Sequence, residues 1–154
     1  MTAFPRGRLL FDTSAYVGQI PHQRYPWLAK DRGIFQRSIL TVVVAAELYA
    51  GTRSREDKRS LDALCRAHEA LSLFSCPLQE AWIAAGTLLG RYRSAHGAVR
   101  FADHFRDVMI ALEAARHAAT LVTENARDFA RWQRLLRASG HELNIFDLAE
   151  ISES

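Results

Sequence analysis

Five side chains with oxygen donors lie next to strongly apolar segments of this sequence. L-L-F precedes Asp12, V-V-V-A-A precedes Glu47, and V-M-I-A-L follows Asp107. Asn125 and Asp128 closely follow T-L-V at positions 120–122. Burying one unpaired carboxylate costs several kcal/mol, and clustering like charges raises that cost. If these acids meet in the folded chain, a positive charge must neutralise them.

A divalent metal ion is the natural candidate for that charge. No Lys or Arg falls at these segment ends except Arg106 and Arg127, which adjoin two of them. Ligands that are all oxygen atoms are typical of Mg²⁺ or Mn²⁺ sites. The sequence therefore predicts such a site, formed by acids from distant segments.

Each acid also has a simpler structural interpretation. Asp12 and Asp128 could cap the helices that follow them, and Glu47 could occupy the exposed side of an amphipathic turn. Asp107 could complement the dipole of its helix. Asp103, one turn earlier, is interpreted as an N-cap, with a metal ligand as the alternative. Against these readings, the four principal acids all fall at ends of elements that would share one edge of a parallel sheet.

The elements that must position these residues are strands alternating with helices. This alternation predicts a single α/β domain over residues 1–154, with three α/β/α layers and a mainly parallel central sheet. The predicted strands are 8–11, 39–44, 71–75, 120–122 and 143–146. The predicted helices are 15–20, 27–36, 45–50, 57–70, 79–92, a helix headed by Asp107, 130–138 and a last turn at 147–151, with a turn-rich break at 94–99. Residues 108–115 are apolar except Glu113, which predicts a buried helix.

Composition indicates an ordinary globular chain without a membrane span. Hydrophobic residues make up 49% of the sequence and charged residues 24%. No apolar run approaches the ~18 residues of a membrane helix, and the apolar segment before Asp12 is too short for a signal peptide. We therefore expect a cytoplasmic protein, in which Cys65 and Cys76 are reduced core residues.

The net charge is +3, and almost all of the cationic residues are arginines. Arginine suits phosphate recognition, but codon bias in a GC-rich genome is a simpler explanation for its excess. Mild basicity allows a nucleic-acid partner without demonstrating one.

Four motifs, in order along the chain, resemble the PIN-domain family. They are D-T-S at 12–14, A-E-L-Y-A-G at 46–51, R-D-V-M-I-A-L at 106–112 and T-E-N-A-R-D-F at 123–129. Each motif alone is weak, but the ordered set is fairly specific and spans residues 9–146. The short single-domain length is most similar to the VapC-type toxin ribonucleases of that family.

The resemblance implies a metal centre whose three core acids are Asp12, Glu47 and Asp107. It also implies three supporting hydroxyl side chains: Ser14, Thr41 and Thr123. The fourth ligand is Asn125 or Asp128, and because Asn is a neutral, weaker ligand, one of two metal ions would be held loosely. H-F-R before Asp107 is bulkier than the family usually shows.

The activity implied is a Mg²⁺- or Mn²⁺-dependent endoribonuclease in which a metal-activated water attacks the phosphorus. The catalytic residues would be Asp12, Glu47, Asp107 and Asp128, with no histidine required, and products would carry a 5′-phosphate. Possible RNA contacts are Arg53, Arg55, Arg59 and Arg106, together with Lys58. A solvated surface is the alternative role for these cations.

Three alternatives remain open from the sequence. The first is a PIN-like RNA-processing nuclease that is not a toxin. The second is a catalytically impaired PIN-like binding module, which the neutral Asn125 favours. The third is a haloacid-dehalogenase-like phosphatase using Asp12 as nucleophile; against it, Ser14 replaces the second Asp of the D-x-D motif, and neither Lys30 nor Lys58 is well placed.

The toxin resemblance also implies partners. We expect a small DNA-binding antitoxin encoded by the neighbouring gene, and a homodimer in the free state. Side chains for partner grooves, with core packing as the alternative role of each, are Tyr16, Trp27, Leu28, Ile34, Phe35 and Tyr49.

Overall fold

A five-stranded, all-parallel sheet forms the centre of the protein. The computed structural model describes residues 4–17 and 32–152. The strands are β1 (Leu9–Phe11), β2 (Ser38–Thr41), β3 (Phe74–Ser75), β4 (Thr120–Thr123) and β5 (Asn144–Asp147), in the spatial order β3-β2-β1-β4-β5. The predicted α/β architecture, with a parallel sheet between two layers of helices, is confirmed.

Helices connect successive strands and cover the two faces of the sheet. They are α1 (Thr13–Val17), α2 (Arg32–Phe35), α3 (Val42–Ala50), α4 (Arg55–Ala70), α5 (Gln79–His96), α6 (Phe101–Arg116), α7 (Ala126–Ala138) and α8 (Ala149–Ser152). The chain moves outward from β1 to β2 and β3, then crosses back to β4 and β5. Because such crossovers are right-handed, this reversal puts the helices before β3 on one face and α5, α6 and α7 on the other. The latter three contact one another.

The core is built around β1 and the middle of α6. All three residues of β1 are fully buried. In α6, every residue from Val108 to Ala114 is buried, so the predicted buried helix is confirmed. This burial includes Glu113, the one charged residue of that segment.

The predicted strand at 39–44 is wrong in its second half. β2 ends at Thr41, whose hydroxyl accepts a hydrogen bond from the Val43 amide at 3.4 Å and so caps α3. Val42 to Val44 therefore form the first turn of a helix. Their β-branched side chains favour a strand, but burial of Val44 in the core overrides this weak propensity.

Several other boundaries differ from the predictions. β3 is only Phe74–Ser75, and α5 continues through the predicted break as far as His96, ending where Gly97 adopts a φ of 87°. α4 and α7 each begin earlier than predicted, at Arg55 and Ala126. The predicted helices 15–20 and 27–36 lie partly outside the described residues.

Cys76 is exposed, which corrects its prediction as a core residue, while Cys65 is half-buried; both thiols are free. Within residues 4–17 and 32–152, no helix is long and apolar enough to cross a membrane.

Candidate functional site

The strand order reverses direction between β1 and β4, and polar side chains gather at that point. Leu10 pairs with Leu121, and Phe11 with Val122, so Asp12 and Thr123 come next, side by side. In open parallel sheets, ligands bind at the carboxyl ends of strands where the order reverses. This register therefore delivers the first predicted acid to the position where such folds bind ligands.

Asp12 is almost completely buried and fully hydrogen-bonded. It is 4% exposed. Its Oδ2 accepts a hydrogen bond from Thr123 Oγ1 at 2.6 Å, and its Oδ1 accepts from the Ser14 hydroxyl and from the Ala15 amide at 3.2 Å. Two of the predicted supporting residues, Ser14 and Thr123, thus hold the carboxylate in one orientation. The bond to the Ala15 amide also makes Asp12 the cap of α1, as its simpler interpretation predicted.

Glu47 and Asp107 lie inside helices, which corrects their prediction as residues at helix starts. Glu47 is the sixth residue of α3, and Asp107 is the seventh residue of α6. The two helices contact each other, which brings the side chains together. Thr41, the third predicted supporting residue, supports Glu47 only indirectly, by capping α3.

Arg106 pairs with both of these acids. Its Nη1 lies 3.0 Å from Glu47 Oε2, and its Nε lies 3.6 Å from Asp107 Oδ1. Its side chain is 56% exposed, so the guanidinium approaches the acids from the solvent side. The alternative role predicted for Arg106, a side chain that is merely solvated, is therefore wrong.

The predicted acids share one small cavity of about 130 Å³ at this edge of the sheet. We call it the acidic cavity, and its lining residues are Asp12, Thr13, Ser14, Glu47, Arg106, Asp107, Ile110, Asn125, Asp128 and Phe129. All five predicted metal ligands are among them. Arg53, Arg55, Arg59 and Asp103 are exposed and do not line this cavity.

The two candidates for the fourth ligand lie at the start of α7. Asn125 is the N-cap residue, although its side chain makes no capping bond. Its backbone N–H donates a hydrogen bond to Thr123 Oγ1 at 2.9 Å. Asp128 lies in the first turn, so its alternative prediction as the helix cap is wrong. Asp103 is likewise not an N-cap, since α6 is preceded by Arg100.

Burial raises the pKa of Asp12 above its ordinary value. Loss of solvent around the carboxylate outweighs the hydrogen bonds from Ser14, Thr123 and the Ala15 amide, which favour the charged form. The negative charge of Asp107 adds a smaller increase.

Burial also raises the pKa of Glu47 and of Asp107. For both acids, Arg106 opposes the increase but does not cancel it. Asp107 and Asp12 add to the increase at Glu47, and Asp128 adds to it at Asp107. The Thr13 hydroxyl lies close enough to Glu47 to favour its charged form, but the two groups do not meet in hydrogen-bond geometry.

The chemistry of the cavity fits a hard divalent cation. Apart from the Arg106 guanidinium, its polar lining consists of carboxylate, amide and hydroxyl groups, the donors that Mg²⁺ and Mn²⁺ prefer. Glu47 Oε1 is buried and has no hydrogen-bond partner within the described part of the chain. Among those same residues, no three His, Cys, Asp or Glu side chains stand in a ready metal-binding arrangement. Arg106 supplies the positive charge instead.

A second polar cluster escaped the sequence analysis. Glu113 is fully buried in α6, and Ser75 Oγ lies 2.6 Å from Glu113 Oε2 and 2.9 Å from His117 Nε2. In a Ser-His-acid triad the acid orients the His nitrogen that faces away from the serine. Here the same nitrogen faces Ser75 and Glu113, so the cluster ties β3 to α6 rather than forming a triad. Spacing did not reveal it, because Ser75 is far from α6 in sequence.

The remaining predicted residues have structural roles or lie elsewhere. Lys58 pairs with Asp62 at 3.0 Å, remote from the acidic cavity, and Lys30 lies outside the described residues, as do Trp27 and Leu28. Tyr49 donates to Asp62 at 2.6 Å. Tyr16 is buried, and Ile34 and Phe35 pack against the core, which are the alternative roles predicted for them.

The raised pKa of Asp107 predicts how stability depends on pH. A carboxyl group whose pKa is raised by folding stabilises the fold fully below its ordinary pKa of 3.8 and loses that contribution as the pH rises through the raised value. The uncharged Asp107→Asn variant avoids this loss. In EDTA, the free energy of unfolding of this variant minus that of the unmodified protein should therefore be larger at about pH 8 than at about pH 4. Urea unfolding at both pH values measures the difference; a constant or declining difference would contradict the burial argument.

Comparison with known proteins does not assign the chain to a family. The sequence matches no protein-family model, and no curated protein matches it significantly.

Proposed function

We propose that this protein is a metal-dependent endoribonuclease of the PIN-domain type. One observation carries the proposal: oxygen side chains from four distant segments line a single cavity where the strand order of the sheet reverses. Three of them, Asp12, Glu47 and Asp107, are acids whose pKa is raised by burial. Burying several carboxylates of like charge in fixed positions costs free energy unless a cation neutralises them.

In this proposal Asp12, Glu47 and Asp107 hold one Mg²⁺ or Mn²⁺ ion, and Asp12 with Asp128 hold a second. Asn125 contributes a neutral oxygen at the edge of the site. Bound metal would generate hydroxide from water near neutral pH and stabilise the charge on the leaving oxygen. Ser14 and Thr123 keep the Asp12 carboxylate in a fixed orientation, which suits it to hold a metal ion.

The remaining chemistry needs no histidine. Among the described residues, no histidine lines the acidic cavity, so water rather than the RNA 2′-hydroxyl is the proposed nucleophile, and products carry a 5′-phosphate. Arg53, Arg55 and Arg59 are exposed at the start of α4 and are proposed to contact the RNA backbone electrostatically.

Replacing Asp12 or Asp107 by Asn should lower RNA cleavage at least about 100-fold, because each change removes a charged metal ligand. Cleavage of a labelled single-stranded RNA in Mg²⁺ or Mn²⁺ measures the rate, and analysis of the product ends tests for the 5′-phosphate. Asp103→Asn is the matched control, since Asp103 is an exposed acid of the same helix and does not line the cavity. Full activity of either ligand variant, or cleavage that persists in EDTA, would remove the proposal.

We further propose that the protein is the cytoplasmic toxin of a type II toxin–antitoxin pair and forms a homodimer when free. Exposed apolar side chains on and around α5 and α6 support the proposal that other protein chains bind here; they are Leu78, Trp82, Ile83 and Phe101. Trp82 and Phe101 each pack on Phe105, with ring centroids 4.8 Å apart in both pairs, and exposed apolar surface of this kind is typical of interaction sites. The RNA-processing nuclease that is not a toxin remains the alternative for the biological role.

Expression of the chain alone in a bacterial host should arrest growth, and co-expression of the protein encoded by the adjacent reading frame should restore it. Asp107→Asn expressed to the same level should not arrest growth, because the arrest depends on cleavage. Normal growth with the active enzyme present would favour the RNA-processing alternative.

A catalytically impaired binding module is the second candidate function. Two observations favour it: Arg106 already pairs with Glu47 and Asp107, and one of the two candidates for the fourth ligand, Asn125, is neutral. A guanidinium that neutralised the acids permanently would make a metal unnecessary.

Metal-linked stability separates the two candidates. At about 100 times its dissociation constant, Mg²⁺ or Mn²⁺ should raise the free energy of unfolding by about 2.7 kcal/mol, which is roughly 5–10 °C in melting temperature for a chain of this size. Asp12→Asn should show a much smaller gain. A binding module without a metal would show no gain in either protein, which calorimetry or thermal melting detects directly.

A further inference from the structure

Arg106 occupies the mouth of the acidic cavity and contacts acids from two helices. Its Nη1 is 3.0 Å from Glu47 of α3, and its Nε is 3.6 Å from Asp107 of its own helix. A planar guanidinium presents several donors in a fixed fork, so one side chain serves both carboxylates through different nitrogens. Among the described residues, Arg106 is therefore the cation that lines the cavity.

The geometry also makes this contact reversible. The Arg106 side chain is 56% exposed, whereas those of Glu47 and Asp107 are 21% and 23% exposed. The guanidinium can turn into solvent without opening the core, while the acids remain fixed by their helices. Exposed ion pairs are weak, so a competing cation could displace this one.

We propose that Arg106 is an internal counter-ion that competes with the divalent metal for Glu47 and Asp107. The inference rests on the proposed function, in which a metal ion binds these two acids. Arg106 lies against Glu47 Oε2 and Asp107 Oδ1. A guanidinium and a divalent ion on the same two carboxylates repel each other, so metal binding weakens the contact of Arg106 with these acids. Arg106 thereby lowers the affinity of the site for metal and holds the acids together until metal arrives.

Thermodynamic linkage gives this proposal a distinctive signature. Because the metal and Arg106 weaken each other's contact with these acids, removing Arg106 must strengthen metal binding by the factor by which Arg106 weakens it. From the usual strength of exposed ion pairs, we expect a gain in affinity of about two- to fivefold. The metal-free variant should melt below the unmodified protein, and saturating metal should close that gap.

The experiment titrates Mn²⁺ into the unmodified protein and three variants, with calorimetry and thermal melting as readouts. Arg106→Gln removes both the charge and the forked set of donors. Arg106→Lys keeps the charge as a single point, so its affinity for Mn²⁺ should fall between those of the unmodified protein and Arg106→Gln. Arg100→Gln is the matched control: it removes the same charge from the start of the same helix, where the side chain is 83% exposed and Nε lies 3.9 Å from Asp103.

Tighter Mn²⁺ binding by Arg106→Gln than by both the unmodified protein and Arg100→Gln supports the proposal. Equal affinity in the unmodified protein and Arg106→Gln overturns it, as does weaker binding by Arg106→Gln. Equal strengthening in Arg100→Gln and Arg106→Gln also overturns it, because net charge alone would then explain the effect. If Mn²⁺ bound to none of these proteins, the proposed function would fail together with the inference, an outcome distinct from unaltered binding.

Discussion

The cost of holding carboxylates away from water governs this edge of the structure. Asp12, Glu47 and Asp107 each have a pKa raised mainly by burial. The negative charge of Asp107 raises the pKa of the other two further, and the charge of Asp12 raises that of Glu47. The hydroxyls of Ser14 and Thr123 favour the charged form of Asp12, and the guanidinium of Arg106 favours the charged forms of the other two. These opposing groups reduce the cost without removing it.

The backbone explains why the acids stay in place despite this cost. Asp12 follows a strand paired on both sides, to β2 and β4, so its position is set by the sheet. Glu47 and Asp107 project from helices that contact each other, and buried residues lie in both helices. The stability of the core therefore supports a locally unfavourable arrangement. Such arrangements are a common feature of functional sites.

Much of this arrangement could be predicted from the sequence because it depends on local patterns. Apolar runs predict where the strands and the buried helix lie. The acids of the site are polar residues next to those runs. The V-V-V segment was misassigned because its propensity favours a strand while the Thr41 cap and the core favour a helix. The cluster of Ser75, Glu113 and His117 was not predicted because it joins segments that no local pattern relates.

Arg106 shows most clearly what spacing could not decide. In the sequence it is one of many arginines and precedes an acid, which is equally compatible with a solvated side chain and a phosphate contact. Its pairing with Glu47 depends on the contact between α3 and α6, a property of the tertiary fold.

The same pairing is compatible with two functional states. A permanent ion pair would give a neutralised scaffold, whereas an exchangeable one would leave the acids poised for a cation with two charges. The exposure of the guanidinium favours exchange, because a side chain mostly in solvent gains little from remaining paired. The burial of the carboxylates favours whichever cation delivers more charge to the same oxygens.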